Sequence, residues 1–178
     1  VIVESSYWKL PLIESAKKFE ELEELCELSE RHFVQIEQDI FLGFYTIRKL
    51  LDASKITDKL KNKKIVLKSH PNKDKYVTLL NNHKLDEKYD FSVLNSEQRD
   101  LWFIASRLIH SYIFQISIND MGIFDGVLFT SDTDKTKKLY WLTSQEIISI
   151  FQEVGSNEVT KFEWSIDPES GQETMVAS

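Results

Sequence analysis

Apolar residues recur every three and four positions from Leu12 to Leu28, at Leu12, Ile13, Ala16, Phe19, Leu22, Leu25, Cys26 and Leu28. On a helix this spacing makes one stripe, so it predicts a first helix whose opposite face carries Glu20, Glu21, Glu23, Glu24, Glu27 and Glu30. That acidic face reads as solvated, with docking to a basic partner as the alternative. Ser29 suits the N-cap of a second helix reaching to about Ser54, although a kink in one long helix fits the same boundary. Its stripe is Phe33, Ile36, Ile40, Phe44, Ile47 and Leu51, widened by Val34, Phe41, Tyr45 and Leu50. Glu37 falls inside this stripe, where an unpaired carboxylate would be costly, so it needs a partner or a route to water. A third helix is predicted from caps at Asn95 and Ser96 to about Ile118. Leu101, Trp102, Ile104, Ala105, Leu108, Ile109, Tyr112, Ile113 and Ile116 surround nearly its whole circumference, as in the central helix of a bundle.

Between the second and third helices the pattern breaks. Lys55 to Lys75 holds eight lysines against Asp58 and Asp74, which reads as a lysine-rich connector with Ile65-Val66-Leu67 as a short strand and His70-Pro71-Asn72 as a turn. Tyr76 to Phe91 is left mostly irregular. Past Asn119-Asp120-Met121-Gly122, the runs Val127 to Thr130 and Lys138 to Leu142 read as strands joined by the hairpin Ser131 to Lys137. Thr143 or Ser144 caps a short helix through Ile147, Ile148, Ile150, Phe151 and Val154, stopped by Gly155. Val159 to Ile166 then alternates, with Phe162, Trp164 and Ile166 on one face, as a half-buried strand does. Asp167 to Gly171 turns the chain, and Glu173 to Ala177 returns as an edge strand. The expected fold is therefore α+β and α-rich: three main helices in a bundle, packed with a small C-terminal antiparallel sheet. One domain is expected over 1–178, helical over about 8–120 and β-rich over about 121–178, with Trp8, Trp102, Trp141 and Trp164 spread through it.

Composition agrees with this expectation. A chain of 178 residues and 20.9 kDa, 42% hydrophobic, suffices for one buried core. No apolar run approaches the roughly 18 residues of a membrane span, and the first residues lack a basic segment followed by an apolar one. The expectation is a soluble, cytoplasmic protein without membrane contact. One cysteine, Cys26, fits a reducing compartment. With 22 basic and 29 acidic residues the net charge is −7, which argues against general coating of nucleic acid and leaves room for a local patch. Lys59, Lys61, Lys63 and Lys64 are the candidate basic patch, with a plain connector as the alternative. Five glycines and three prolines speak against a glycine-rich phosphate loop.

Few chemistries are supported by the residues. Cys26 lies beside an apolar stripe among glutamates, which oppose thiolate formation. His32, His70, His83 and His110 lack zinc-ligand spacing, and Asp132-Thr133-Asp134 lacks the glycine of a calcium loop, so neither a metal nor a cofactor is expected. Arg107 and His110 remain, three residues apart on a strongly apolar helix and extended by Arg99, Ser106 and Ser111. Side chains of this kind must meet a compensating acid such as Glu37, a cleft, or a ligand such as RNA.

Two segments, Arg48-Lys49-Leu50-Leu51-Asp52-Ala53 and Ser106-Arg107-Leu108-Ile109-His110-Ser111-Tyr112, resemble the helical-bundle HEPN domains. The resemblance implies an all-α bundle, homodimers and, in active members, RNA cleavage by an arginine and a histidine at the dimer cleft. The family's nuclease motif would place the arginine at Phe103, Ile104 or Ala105 if His110 were its histidine, and none of these is basic. The lone histidine offers only part of the required acid–base and electrostatic chemistry. The first expectation is therefore a non-enzymatic, self-associating interaction protein, a homodimer through its helices. The alternative is an RNA-binding or RNA-cleaving protein using Arg107 and His110.

Overall fold

The computed structural model describes residues 2–22, 27–168 and 170–178. Leu25 and Cys26 of the expected first stripe, Glu23 and Glu24 of its acidic face, and Glu169 of the C-terminal turn lie outside them. The first two helices form where the apolar pattern places them. Helix α1 spans Ser6–Leu22 and buries Leu12, Ala16 and Phe19; it begins ahead of the expected Leu12 and carries Pro11 in its second turn. Helix α2 spans Glu30–Asp52 and buries Ile36, Ile40, Phe44, Ile47, Leu50 and Leu51. Ser29 caps α2 reciprocally with His32: its side chain accepts from the His32 backbone N–H, while its own N–H donates to His32 Nδ1 at 3.1 Å. Glu37 is exposed on α2 and reaches water.

The middle of the chain overturns the expected three-helix bundle and its small C-terminal sheet. After the one-turn helix α3 (Asp58–Lys61), strands β1 (Ile65–Pro71), β2 (Asn95–Arg99), β3 (Ser111–Ile118), β4 (Phe124–Ser131) and β5 (Lys138–Thr143) form one antiparallel sheet in the order β2-β1-β5-β4-β3. Strands β2 and β3 lie in the stretch expected to be the third helix, and β1 extends the short strand expected at Ile65-Val66-Leu67. Asn95 and Ser96 cap no helix and instead pair with Ser69 and Lys68 of β1. The helix that follows, α5 (Leu101–Ile109), is nine residues long and is capped by Asp100, whose carboxylate accepts from the Phe103 N–H at 2.9 Å. His110 closes it, and Ser111 and Tyr112 already belong to β3, so the segment Ser106 to Tyr112 is not one helix.

The cause is burial on both faces of the sheet. A helix apolar all round and a strand covered on both sides have the same composition, and periodicity alone does not separate them. Phe114 and Ile116 of β3 join the main core beneath the helices, where Phe41 of α2 meets Phe114 with ring centres 4.6 Å apart. Ile113 and Tyr112 belong to a second core on the opposite face, with Val77, Leu85, Tyr89, Leu128, Leu139 and Trp141. Residues 72–94, including the one-turn helix α4 (Leu85–Lys88), form that cover, and the expected turn His70-Pro71 is the end of β1. Helix α6 (Ser144–Gly155), capped by Thr143 in a reciprocal box with Glu146, lies along α1 and completes the helical layer.

The C-terminal strands β6 (Phe162–Ile166) and β7 (Glu173–Ala177) form a separate two-stranded sheet. All five residues of β6 are exposed, so the strand is not half-buried as its alternation suggested. Its tethers are near its base: the Ala177 N–H donates to Asp58 Oδ2 at 3.0 Å, and Ser178 exchanges backbone hydrogen bonds with Lys161.

Candidate functional site

Strand β2 and helix α5 are joined by Asp100 alone, which places Arg99, Phe103 and Arg107 close together. Arg99 pairs with Ile65 in the ladder and shares the helix-side face of β2 with Glu97, two residues earlier. The Arg99 and Arg107 guanidinium carbons lie 4.4 and 4.9 Å from the centre of the same Phe103 ring. The Phe103 ring in turn meets Tyr140 edge-on at 5.9 Å.

Two carboxylates hold this cluster. Glu97 Oε2 accepts from Arg99 Nη2 and from Lys138 Nζ, both at 3.1 Å. Burial alone would raise the Glu97 carboxyl, and the hydrogen bonds from Lys138 and Arg99 outweigh it and hold the group below its ordinary value. Asp134, in the turn between β4 and β5, stands 2.8 Å from Arg107 Nε and accepts from Ser131 Oγ at 3.2 Å and from the Tyr140 hydroxyl at 3.4 Å. The Arg107 approach lies off the N–H axis, so the contact is an ion pair without a good hydrogen bond. The Tyr140 hydroxyl is pushed well above the usual phenol range, first by burial and then by the charges of Asp134 and Glu97. Glu97 Oε1 and Arg99 Nε are buried without a hydrogen-bond partner.

A cavity of about 190 Å³ adjoins the cluster, lined by Ser69, Pro71, Asn95, Ser96, Glu97, Lys137 and Lys138. On the other side of α5, Arg48 lies 4.1 Å over the Trp102 ring, donates to Ser106 Oγ and pairs with Asp52.

Of the residues singled out in the sequence, the structure unites Arg99 and Arg107. His110, as the C-cap of α5, is exposed, and its backbone N–H bonds to Ser106 O at 3.1 Å. Glu37 makes none of the cluster's contacts; the acids that compensate the arginines are Glu97 and Asp134. Lys59 and Lys61 are exposed on α3, while Lys63 pairs with Glu153 and Lys64 with Asp100. Sequence reasoning missed Phe103, Asp134, Lys138 and Tyr140 as partners. Asp134 reads as ordinary turn chemistry, and no spacing links it to Arg107.

A second surface is the C-terminal hairpin. Register places Trp164 opposite Met175 and Phe162 opposite Ala177, so Phe162, Trp164, Ile166 and Met175 share one face. These four are each about half exposed. Phe162 and Met175 also line an open groove of about 1120 Å³ against Leu10 and Ile13 of α1 and Lys49 and Ala53 at the end of α2.

Among the described residues no group of His, Cys, Asp and Glu side chains could hold a metal ion, and no helix is long and apolar enough to cross a membrane. No family model, curated protein or solved structure matches this chain.

Proposed function

We propose that this chain is a non-enzymatic interaction protein that self-associates through its C-terminal hairpin. The buried stripes of the helices pack on the sheet and on one another, while β6 and β7 keep an apolar face uncovered. The observation that carries this reading is the exposed face of Phe162, Trp164, Ile166 and Met175 on a sheet of only two strands. A two-stranded hairpin is marginal in water without a packing partner. Half-exposure of four such side chains leaves on the order of 500 Å² uncovered. Two copies meeting face to face about a two-fold axis would bury about 1,000 Å², the size at which specific interfaces begin.

Sedimentation equilibrium of the full chain tests this. The wild-type protein is expected near twice 20.9 kDa. Trp164→Glu is expected to sediment as a monomer with an unchanged far-UV spectrum, while Ser165→Glu, on the opposite face of the same strand, stays dimeric. A wild-type monomer at about 100 μM, far above the Kd of a useful dimer, overturns the reading. So does a dimer that survives Trp164→Glu.

A further inference from the structure

Two arginines on one ring are an expensive arrangement unless anions are near. With guanidinium carbons 4.4 and 4.9 Å from the Phe103 centre, Arg99 and Arg107 are no more than about 9 Å apart, within a Debye length of each other. Lys138 adds a third cation through its bond to Glu97. Glu97 and Asp134 are the two carboxylates in contact with them, so the cluster retains one positive charge in a chain of net charge −7.

The arginines also have donors to spare. A guanidinium carries five N–H donors in a planar fork. Arg99 donates from Nη2 to Glu97, and Arg107 meets Asp134 through Nε; among the described residues no protein acceptor takes their remaining Nη hydrogens. Their side chains are 40% and 32% exposed, and that of Lys138 is 31%, so these donors reach the surface with their stems held by packing. The Phe103 ring lies against both guanidinium groups and restricts them, which reduces the ordering cost of binding. The adjoining cavity, a space of about 190 Å³, adds Lys137, Ser69, Asn95 and Ser96 to its lining. Paired planar forks beside a lysine suit a phosphoryl group, whose oxygens accept bidentate donation.

We infer that Arg99, Arg107 and Lys138, with the cavity beside them, form a binding site for a phosphate-bearing ligand. The site shares no residue with the C-terminal hairpin and stands whether or not that hairpin dimerises. The phosphate comes either from a polynucleotide backbone or from a free phosphorylated small molecule, and the two sources are separable.

The test uses the full chain and two probes: a fluorescein-labelled oligouridylate followed by anisotropy, and inorganic pyrophosphate followed by calorimetry, both at about 50 mM salt, where phosphate contacts are weakly screened. Wild-type protein is expected to bind at least one of them. Arg99→Gln, Arg107→Gln and Lys138→Gln are each expected to weaken binding about tenfold, the worth of one charge-assisted contact. Arg99→Lys keeps the charge but loses the fork, and is expected to recover only part of the loss. Anisotropy without a pyrophosphate response assigns the backbone source; a pyrophosphate response that displaces no RNA assigns the small molecule. If Arg107→Gln unfolds the chain, the more exposed Arg99 and Lys138 variants decide. The proposal falls if neither probe binds more tightly than about 1 mM. It also falls if folded Arg99→Gln and Lys138→Gln bind as the wild type does.

Discussion

Asp134 Oδ2 stands 2.8 Å from Arg107 Nε, so the turn after β4 holds the last turn of α5 by charge. The same oxygen accepts from Ser131 and Tyr140, and Asp134 is buried. Asp134→Ala leaves the Tyr140 hydroxyl without its acceptor and the Arg107 guanidinium without its counter-ion. The expected cost is about 1–3 kcal/mol, discounted from a fully buried pair because Arg107 is partly exposed. Urea unfolding followed by circular dichroism measures it. A change within about 0.5 kcal/mol, as for ordinary surface substitutions, would mean that water already serves Arg107.

Gly43 lets α2 approach α6. A Cβ at this position would lie 2.2 Å from Phe151 Cζ, and Phe151 is fully buried against Phe19 and Phe44, so its ring has nowhere to swing. Gly43→Ala is expected to destabilise by about 1–3 kcal/mol through overpacking. The double variant Gly43→Ala with Phe151→Leu should recover part of this loss, visible as a thermal midpoint above that of Gly43→Ala alone.

Glu97 links stability to acid pH. Its folded carboxyl is held below the ordinary 4.5 because donation from Lys138 and Arg99 exceeds the opposing effect of burial. A depressed acid stabilises the fold above its unfolded pKa and ceases to do so as pH falls through its folded pKa. The stability difference between wild type and Glu97→Gln is therefore expected to be constant from neutral pH down to about 4.5 and to shrink below it. Urea titrations across that range check it; a difference independent of pH would show that the ionised form gains nothing from the pair.

Asp125 behaves in the opposite sense. Burial raises its carboxyl, and Lys68 offsets this only in part. A raised acid costs nothing below its ordinary value of 3.8; the destabilisation grows as pH rises from there to the folded pKa and is constant above it. Asp125→Asn is thus expected to raise the thermal midpoint at pH 7 and to leave it unchanged below the ordinary pKa. A stabilisation that persists in acid would point to packing instead of charge.

Particular segments show how far the sequence could be read. Ser29 and Thr143 start their helices as their side-chain chemistry requires, because a cap acts within one turn and needs no distant partner. The strands around Val127 and Leu139 and the hairpin between them were legible for the same reason, since alternation and turn residues are local. Residues 95–118 were misread because both faces of β3 are covered, so its composition matches that of a buried helix. Only the pairing of β2 with β1, across more than twenty residues of chain, settles that Asn95 starts a strand. The site divides along the same line. Arg99 and Arg107 stand out in an apolar run, while their counter-ions come from Glu97 on the same strand and Asp134 in a later turn.

By itself, the sequence determined the caps at Ser29 and Thr143, the apolar stripes of α1, α2 and α6, and the local hairpins, all set by neighbours within a few residues. The tertiary structure alone decided which apolar runs became strands, which acids met the arginines, and that the face of Phe162 and Trp164 stays exposed. These outcomes depend on what covers each surface, and the covering segments lie far away along the chain.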